Sequence, residues 1–201
     1  MDPSIRGKSS SGGIDYGNFK ANLDFLFSTG EIKPKRKILE IGCGKGHMLN
    51  HFHKNGFDIR GVEINHKYIE ESKKNFGKLP IQHVSSTILP FEDNAFDVVF
   101  SLDVFEHIFD SDRHLQEVRR VLKDGCNYLL TTPNKWTNTV FETIRWKSLT
   151  DWRADHCSLH TRSQLTKRFT KHGFETKFYK IKLVTPYFNH KIRTYLGKPG
   201  I

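Results

Sequence analysis

The stretch Lys37–Leu49, KILEIGCGKGHML, constrains the fold more than any other part of the chain. A short apolar run containing Glu40 passes straight into glycines at 42, 44 and 46, and then into a segment with helical apolar spacing. A strand, a glycine turn and a helix in that order let the backbone approach a ligand at a helix start. Spacing narrows the ligand. A dinucleotide turn needs G-x-G-x-x-G, but here the third glycine falls one residue early and position 47 is histidine. A phosphate loop of the form G-x-x-x-x-G-K-[S/T] occurs nowhere in the chain.

The rest of the chain repeats the unit. Lys37–Ile41 reads as a buried strand and His47–Lys54 as its helix. Phe57–Ile64 is a second strand, with a polar helix from about His66 to Phe76. IQHVS begins a third, and AFDVVFSLDVF carries a fourth that is buried on both faces. A helix from about Asp112 to Leu122 puts Leu115, Val118, Val121 and Leu122 on one stripe. Asp124–Gly125 then turns into a fifth strand, CNYLLTT. Thr161 and Gln164 form a capping-box pattern opening a helix to Lys171, and FETKFYKIKLV follows as a sixth strand. Upstream, Asn18–Phe27 carries Phe19, Leu23, Leu26 and Phe27 on one helical face. Strands alternating with helices predict a Rossmann-like α/β fold, a doubly wound parallel sheet with helices on both faces.

Composition adds three bounds. With 201 residues, 36% of them hydrophobic, the chain holds one domain with a full core. No run approaches the ~18 apolar residues that span a bilayer. Three cysteines, Cys43, Cys126 and Cys157, have no framework spacing and suit free thiols in a reducing cytoplasm. The charge is uneven. Residues 1–134 hold 18 Lys+Arg against 18 Asp+Glu, while 135–201 hold 14 against 4, which supplies the whole net charge of +10. A basic last third on a neutral body predicts an anionic partner: a charged small acceptor, RNA or the surface of an acidic membrane. Residues 1–16, rich in Ser and Gly, read as a flexible lead-in without the h-region of a signal peptide, and 17–201 as the domain. Within it, 133–160 interrupts the alternation and contains all three tryptophans, so it reads as a substrate-cap insertion.

The acids sharpen the ligand. Glu40 would repel a pyrophosphate but can pair with an amino acid's ammonium group. Glu63 ends the next strand, where its carboxylate can accept both hydroxyls of a ribose. A ligand with a ribose, an ammonium group and no phosphate is S-adenosylmethionine.

At this point LEIGCGKG, GVEI, LPFEDNAFDVVFSLDVFEHI, VLKDGCNYLLTTPN and HTRSQLTKRFTKHGF, in that order, resemble the class I S-adenosylmethionine-dependent methyltransferases over roughly Lys37–Phe174. The resemblance implies a seven-stranded sheet, whose last strand is either missing here or supplied by the tail. It implies that Glu40, Gly42, Cys43, Gly44 and Gly46 hold the methionine end, that Glu63 holds the ribose and that Ile64 packs on the adenine. Many members bind the adenine amine with an acid where this chain has Ser85 and Ser86, which leaves their backbone groups for that contact. Ser101 would sit below the transferring methyl group.

Methyl transfer from a sulfonium needs alignment and exclusion of water more than activation of the leaving group. An oxygen acceptor also needs a base or a metal. Glu106 and His107 are the candidate acid–base pair. Asp103, Glu106 and His107 are the candidate ligands for Mg²⁺ or Mn²⁺, and a resemblance to small-RNA 2′-O-methyltransferases implies that His156 joins them. That pattern is also similar to the O-methyltransferases of ubiquinone synthesis. Tyr16, Phe19, Arg145, Trp146, Arg153 and His160 are the candidate acceptor contacts. The expected activity is transfer to a small-molecule or lipid-like acceptor, most readily at oxygen, by a monomer or homodimer. A metal-dependent RNA 2′-O-methyltransferase is the alternative. A non-catalytic cofactor-binding subunit is the alternative outside enzymology.

Overall fold

The computed structural model describes residues 19–136, 139, 143, 157–179 and 181. Helix α1 (Phe19–Ser28) leads into β1 (Lys37–Ile41), α2 (His47–Lys54), β2 (Asp58–Glu63), α3 (His66–Phe76) and β3 (Ile81–His83). Then come β4 (Phe96–Leu102), a 3-10 turn (Phe105–His107), α4 (Ser111–Val121), β5 (Leu122–Thr131) and α5 (Arg162–Lys171). The strands form one parallel sheet in the order β3-β2-β1-β4-β5. The chain runs outward from β1 to β3 and returns to the other side of β1 as β4, so the order switches between β1 and β4. A crevice opens at the carboxyl ends of strands there, just where the glycine turn leaves β1.

Period-two alternation explains the two core layers. Ile38, Val98 and Phe100 face α1 and α2, where they pack with Leu23, Leu26, Met48, Leu49 and Phe52. Leu39, Ile41, Val62 and Val99 face the opposite way, onto Val118 and Val121 of α4. Leu26, Leu49, Phe52 and Phe100 have no exposed surface, and truncating any of them to alanine costs about 2–5 kcal/mol.

Two elements differ from the sequence expectation. β5 begins at Leu122, not after the Asp124–Gly125 turn. The pairing slips from Phe96↔Leu122 to Val98↔Asn127, so the turn is absorbed as an irregularity inside the strand, with Gly125 at φ 71°. The expected sixth strand is absent from the described part of FETKFYKIKLV, since Phe174–Tyr179 pair with no strand. The Phe174 N–H bonds to Phe169 O behind α5, the Phe174 ring packs with Tyr128 and Phe169, and Tyr179 stands edge-on to Phe25. Five strands are therefore present among the described residues, against the seven the resemblance implies. Elsewhere the agreement is close. β1, α2 and α3 fall on the expected residues, and the Thr161–Gln164 capping box is present in both directions. No helix among the described residues is long and apolar enough to cross a membrane.

Candidate cofactor and acceptor site

Gly42, Gly44 and Gly46 all lie in the left-handed region, at φ 71°, 52° and 78°. Gly42 is held by a close neighbour: a Cβ there would come within 2.5 Å of a Val104 methyl group. At Gly44 a Cβ would meet nothing within 4 Å, so the backbone faces open space.

Four N–H groups of this turn are bonded within the protein. Gly42 and Cys43 donate to Val62 O at 2.9 and 3.1 Å, Gly46 donates to Cys43 O at 2.9 Å, and Gly44 donates to Glu63 Oε2 at 2.7 Å. A phosphate cradle needs such N–H groups directed at the ligand. Here they tie β1 to β2 instead.

Two carboxyls close the site. Glu63 is buried, and its second oxygen accepts from Asn65 N–H at 2.8 Å. Glu40 is buried and its Oε2 has no hydrogen-bond partner. Burial, and then the Glu63 charge, push its pKa up to about 8. A buried carboxyl with an orphaned oxygen is stabilised by a cation placed against it. The donor set therefore fits S-adenosylmethionine, which offers an ammonium group and ribose hydroxyls. Cys43 is buried with Sγ against Gly61, and burial pushes its thiol pKa up, away from the reactive thiolate. Ile64 is 63% exposed, and Ser85 and Ser86 are exposed, on the open side of the same edge.

The second half of the site follows β4. Asp103 stands at φ 54°, strained for a non-glycine residue. Thr131 locks it there: Asp103 N–H donates to Thr131 O and Oγ1 at 3.1 and 3.0 Å, and Thr131 Oγ1 donates back to Asp103 Oδ1 at 3.0 Å. Val104, which touches the glycine turn, joins this half to the first. Glu106 is 1% exposed, and Thr132 Oγ1 donates to its Oε2 at 3.1 Å. Burial, with Asp103 nearby, pushes its pKa up to about 7. Its carbonyl accepts Ser158 N–H at 2.9 Å. His160 is half-buried, with its ring centroid 5.8 Å from that of Phe105, and its backbone bridges to Asn134. Burial holds its imidazole below the usual histidine pKa. His107 is exposed at the end of the 3-10 turn.

No three His, Cys, Asp or Glu side chains among the described residues converge as a metal site. Asp103 bonds Thr131, Glu106 turns inward to Thr132, and His107 is exposed at the end of the 3-10 turn. His156 lies outside the described residues, as do Tyr16, Arg145, Trp146 and Arg153. Phe19 packs edge-on against His51 of α2 at 5.6 Å. Ser101 has no exposed surface, and its hydroxyl bonds Tyr128 at 2.7 Å. Tyr128 in turn meets His114 Nε2 at 3.0 Å, and burial lowers the His114 pKa to about 4. Asn65, Val104, Thr131, Thr132, Tyr128 and His114 were not singled out from the sequence. Only the two threonines carried a signal, as part of TTPN.

A parallel sheet in this order, with a glycine turn at its switch point and acids ending β1 and β2, defines the class I S-adenosylmethionine-dependent methyltransferases. The chain belongs to that superfamily: residues 15–177 match the sequence profile described as Methyltransferase domain. Phosphoethanolamine N-methyltransferase 2 of Caenorhabditis elegans is 31% identical over 130 residues, covering 61% of this chain and 29% of that protein. The chain thus spans less than a third of this relative's length, and likewise 39% of a sarcosine/dimethylglycine N-methyltransferase from Halorhodospira halochloris. Among solved structures, phosphoethanolamine N-methyltransferase 2 of Haemonchus contortus, in complex with S-adenosyl-L-methionine, shares the fold. Its TM-score is 0.67 at 22% identity, covering 96% of this chain and 44% of that one. The YcgJ protein of Bacillus subtilis does so with a TM-score of 0.64 at 19% identity, covering 87% and 82%.

Proposed function

We propose that the chain transfers a methyl group from S-adenosylmethionine to a small-molecule or lipid-like acceptor, most readily at oxygen. One observation carries the reading: two buried carboxyls, one with an unpartnered oxygen, meet at a glycine turn where the Gly42, Cys43, Gly44 and Gly46 N–H groups bond within the protein. That arrangement is poor for a phosphate and good for a cationic, hydroxylated ligand.

When bound, S-adenosylmethionine supplies a methyl group activated by its sulfonium. Glu40 would hold its ammonium end. Glu63, whose oxygens each keep a second lone pair beyond the Gly44 and Asn65 bonds, would hold the ribose. Gly44 leaves the room that close backbone approach needs. Ile64, Ser85 and Ser86 lie where the adenine would rest. On the acceptor side, Glu106 with a pKa near 7 is poised to take the proton that an acceptor loses on methylation, and Thr132 orients its carboxyl. His107, which ends the 3-10 turn, and His160, whose ring lies against Phe105, are the further acceptor contacts in this reading.

An amine acceptor is the second reading, favoured by the relatives named for N-methylation of phosphoethanolamine and sarcosine. Glu106 would serve an ammonium acceptor by the same proton transfer. The metal-dependent RNA reading has less support: no group of three His, Cys, Asp or Glu among the described residues could hold a metal ion, and its fourth candidate ligand, His156, lies outside them.

The test is S-adenosylhomocysteine formation with catechols, hydroxylated lipids, sugars, ethanolamine-type amines and short RNA, each with and without EDTA. We expect EDTA-insensitive turnover on a hydroxyl acceptor that falls at least tenfold in E106Q. Turnover on RNA that EDTA abolishes would overturn the small-molecule reading. Cofactor binding without turnover on any acceptor would favour the non-catalytic subunit.

A further inference from the structure

Among the described residues, seven large hydrophobic side chains are exposed, and five of them share one edge of the molecule. Ile64 and Tyr68 follow β2, Ile88 follows β3, Phe109 follows β4 and Trp136 follows β5. In a parallel sheet each connection leaves from the carboxyl end of its strand, so residues soon after a strand lie toward the edge that holds the cofactor site. Ile64, Tyr68 and Ile88 rim the side proposed for the adenine. Phe109 and Trp136 lie beyond it, on the acceptor side, at 93% and 69% exposure.

A chain of contacts links the segments that carry these two aromatics. Phe109 follows the Phe105–His107 turn, and the Phe105 ring packs on His160. His160 bridges Asn134, whose Oδ1 accepts the Trp136 N–H at 3.0 Å and so fixes the turn that carries the indole. Phe105 already fills the interior beneath this turn with no exposed surface, and Asp110 is committed to capping α4. Phe109 between them has no core position to take. Two outward aromatics in such a place suit an apolar phase more than water.

Charge identifies the phase. Among the described residues from 135 onward, Lys135, Arg162, Lys167, Arg168, Lys171 and Lys177 stand against Glu175 alone. Of the acids near Phe109, Asp112 is paired with Arg168, Lys171 and His172 at 3.3, 3.2 and 2.8 Å. Asp110 accepts the Arg113 N–H at 3.0 Å, while Asp103 accepts from Thr131. Aromatic tips next to a strongly basic segment complement a surface that is apolar beneath and anionic above.

We propose that this edge docks on an anionic membrane surface, with Phe109 and Trp136 entering the interface, so that the acceptor is drawn from the lipid layer. The inference rests on the methyltransferase reading for its account of the acceptor, but the docking itself does not. Aromatics beside Glu106 put the apolar layer next to the proposed proton acceptor, which is what a lipid-like acceptor needs.

The test is co-sedimentation of the full chain with phosphatidylcholine vesicles and with phosphatidylcholine–phosphatidylglycerol vesicles, across a salt series. Binding is expected only to the anionic vesicles and should weaken steeply with salt. F109A and W136A should each lower the partition coefficient about tenfold, as loss of a buried aromatic predicts, without changing Tm. Absence of binding to anionic vesicles, or binding that neither substitution weakens, would overturn the proposal. So would F109A and W136A impairing turnover of a water-soluble acceptor while vesicle binding stays absent, which would make the aromatics walls of an acceptor pocket. Calorimetric titration of the same proteins with S-adenosylmethionine keeps the two readings apart. Failure of the wild-type chain to bind the cofactor sinks the methyltransferase reading and leaves the vesicle result standing.

Discussion

Gly42 and Gly44 share a backbone conformation and differ in what surrounds them. Any side chain at either position has to adopt positive φ, at about 1–2 kcal/mol for alanine. At Gly42 the new methyl would also be driven into Val104, the residue that joins the glycine turn to the Asp103–His107 turn. G42A should therefore lower stability by about 3 kcal/mol or more and disturb both halves of the site. G44A has no such neighbour, so its stability cost should stay near 1–2 kcal/mol. Its methyl would stand in the space through which the ligand approaches. Thermal melts with and without S-adenosylmethionine check the pair: G44A should melt close to wild type alone yet lose most of the ligand-induced rise in Tm. A G44A protein that keeps the full rise would place the cofactor elsewhere.

At the scale of elements, Arg120 on α4 does what no periodicity shows. It donates to Leu89 O and Phe91 O at 2.8 and 2.7 Å, and to Asp93 and Glu117. Glu117 accepts the Leu89 N–H at 2.9 Å. The LPFED loop between β3 and β4 is thereby clamped to a helix that comes later in the chain. Because Arg120 is 30% exposed, solvent discounts its ion pairs, but the two carbonyl contacts are local and directional. R120A should cost about 2 kcal/mol in urea unfolding. It should also open the Leu89–Asp93 loop to limited proteolysis before the rest of the chain, and loss of stability without that local cleavage would argue against the clamp. LPFED was legible as a motif, but its clamp was not, since the two partners are about 30 residues apart in sequence.

For the whole molecule, the buried acids set a pH dependence. Glu40 and Glu106 titrate near 8 and 7 when folded and near 4.5 when unfolded. Between those values the folded chain holds protons that the unfolded chain has released, so stability falls as pH rises. His114, held to about 4 by burial, acts in the opposite direction, and only below its ordinary value of 6.5. Above pH 6.5 the carboxyls act alone. The ligand-free chain should lose about 2 kcal/mol of stability from pH 6.5 to 8, since one retained proton is worth about 1.4 kcal/mol per pH unit. E40Q should flatten this slope, raise Tm at pH 8 and weaken S-adenosylmethionine binding about 100-fold. Saturating cofactor should flatten the wild-type slope as well, because a cation beside Glu40 stabilises its charged form. Melting curves at several pH values check all three, and an E40Q protein less stable than wild type at pH 8 would contradict the account.

The sequence by itself determined the strand–turn–helix unit, the parallel α/β plan, the capping box and the superfamily. Each is written in short-range spacing: apolar period, glycine position, an acid at a strand end. Only the tertiary structure decided that Gly44 N–H bonds Glu63, that Ser101 bonds Tyr128 and that Glu106 is buried against Thr132. It also decided that Phe174 joins the aromatic core where a sixth strand was expected. These outcomes depend on which distant backbone or hydroxyl reaches a side chain first, and on how much water burial leaves around it. Neither quantity is carried by the spacing of residues along a chain.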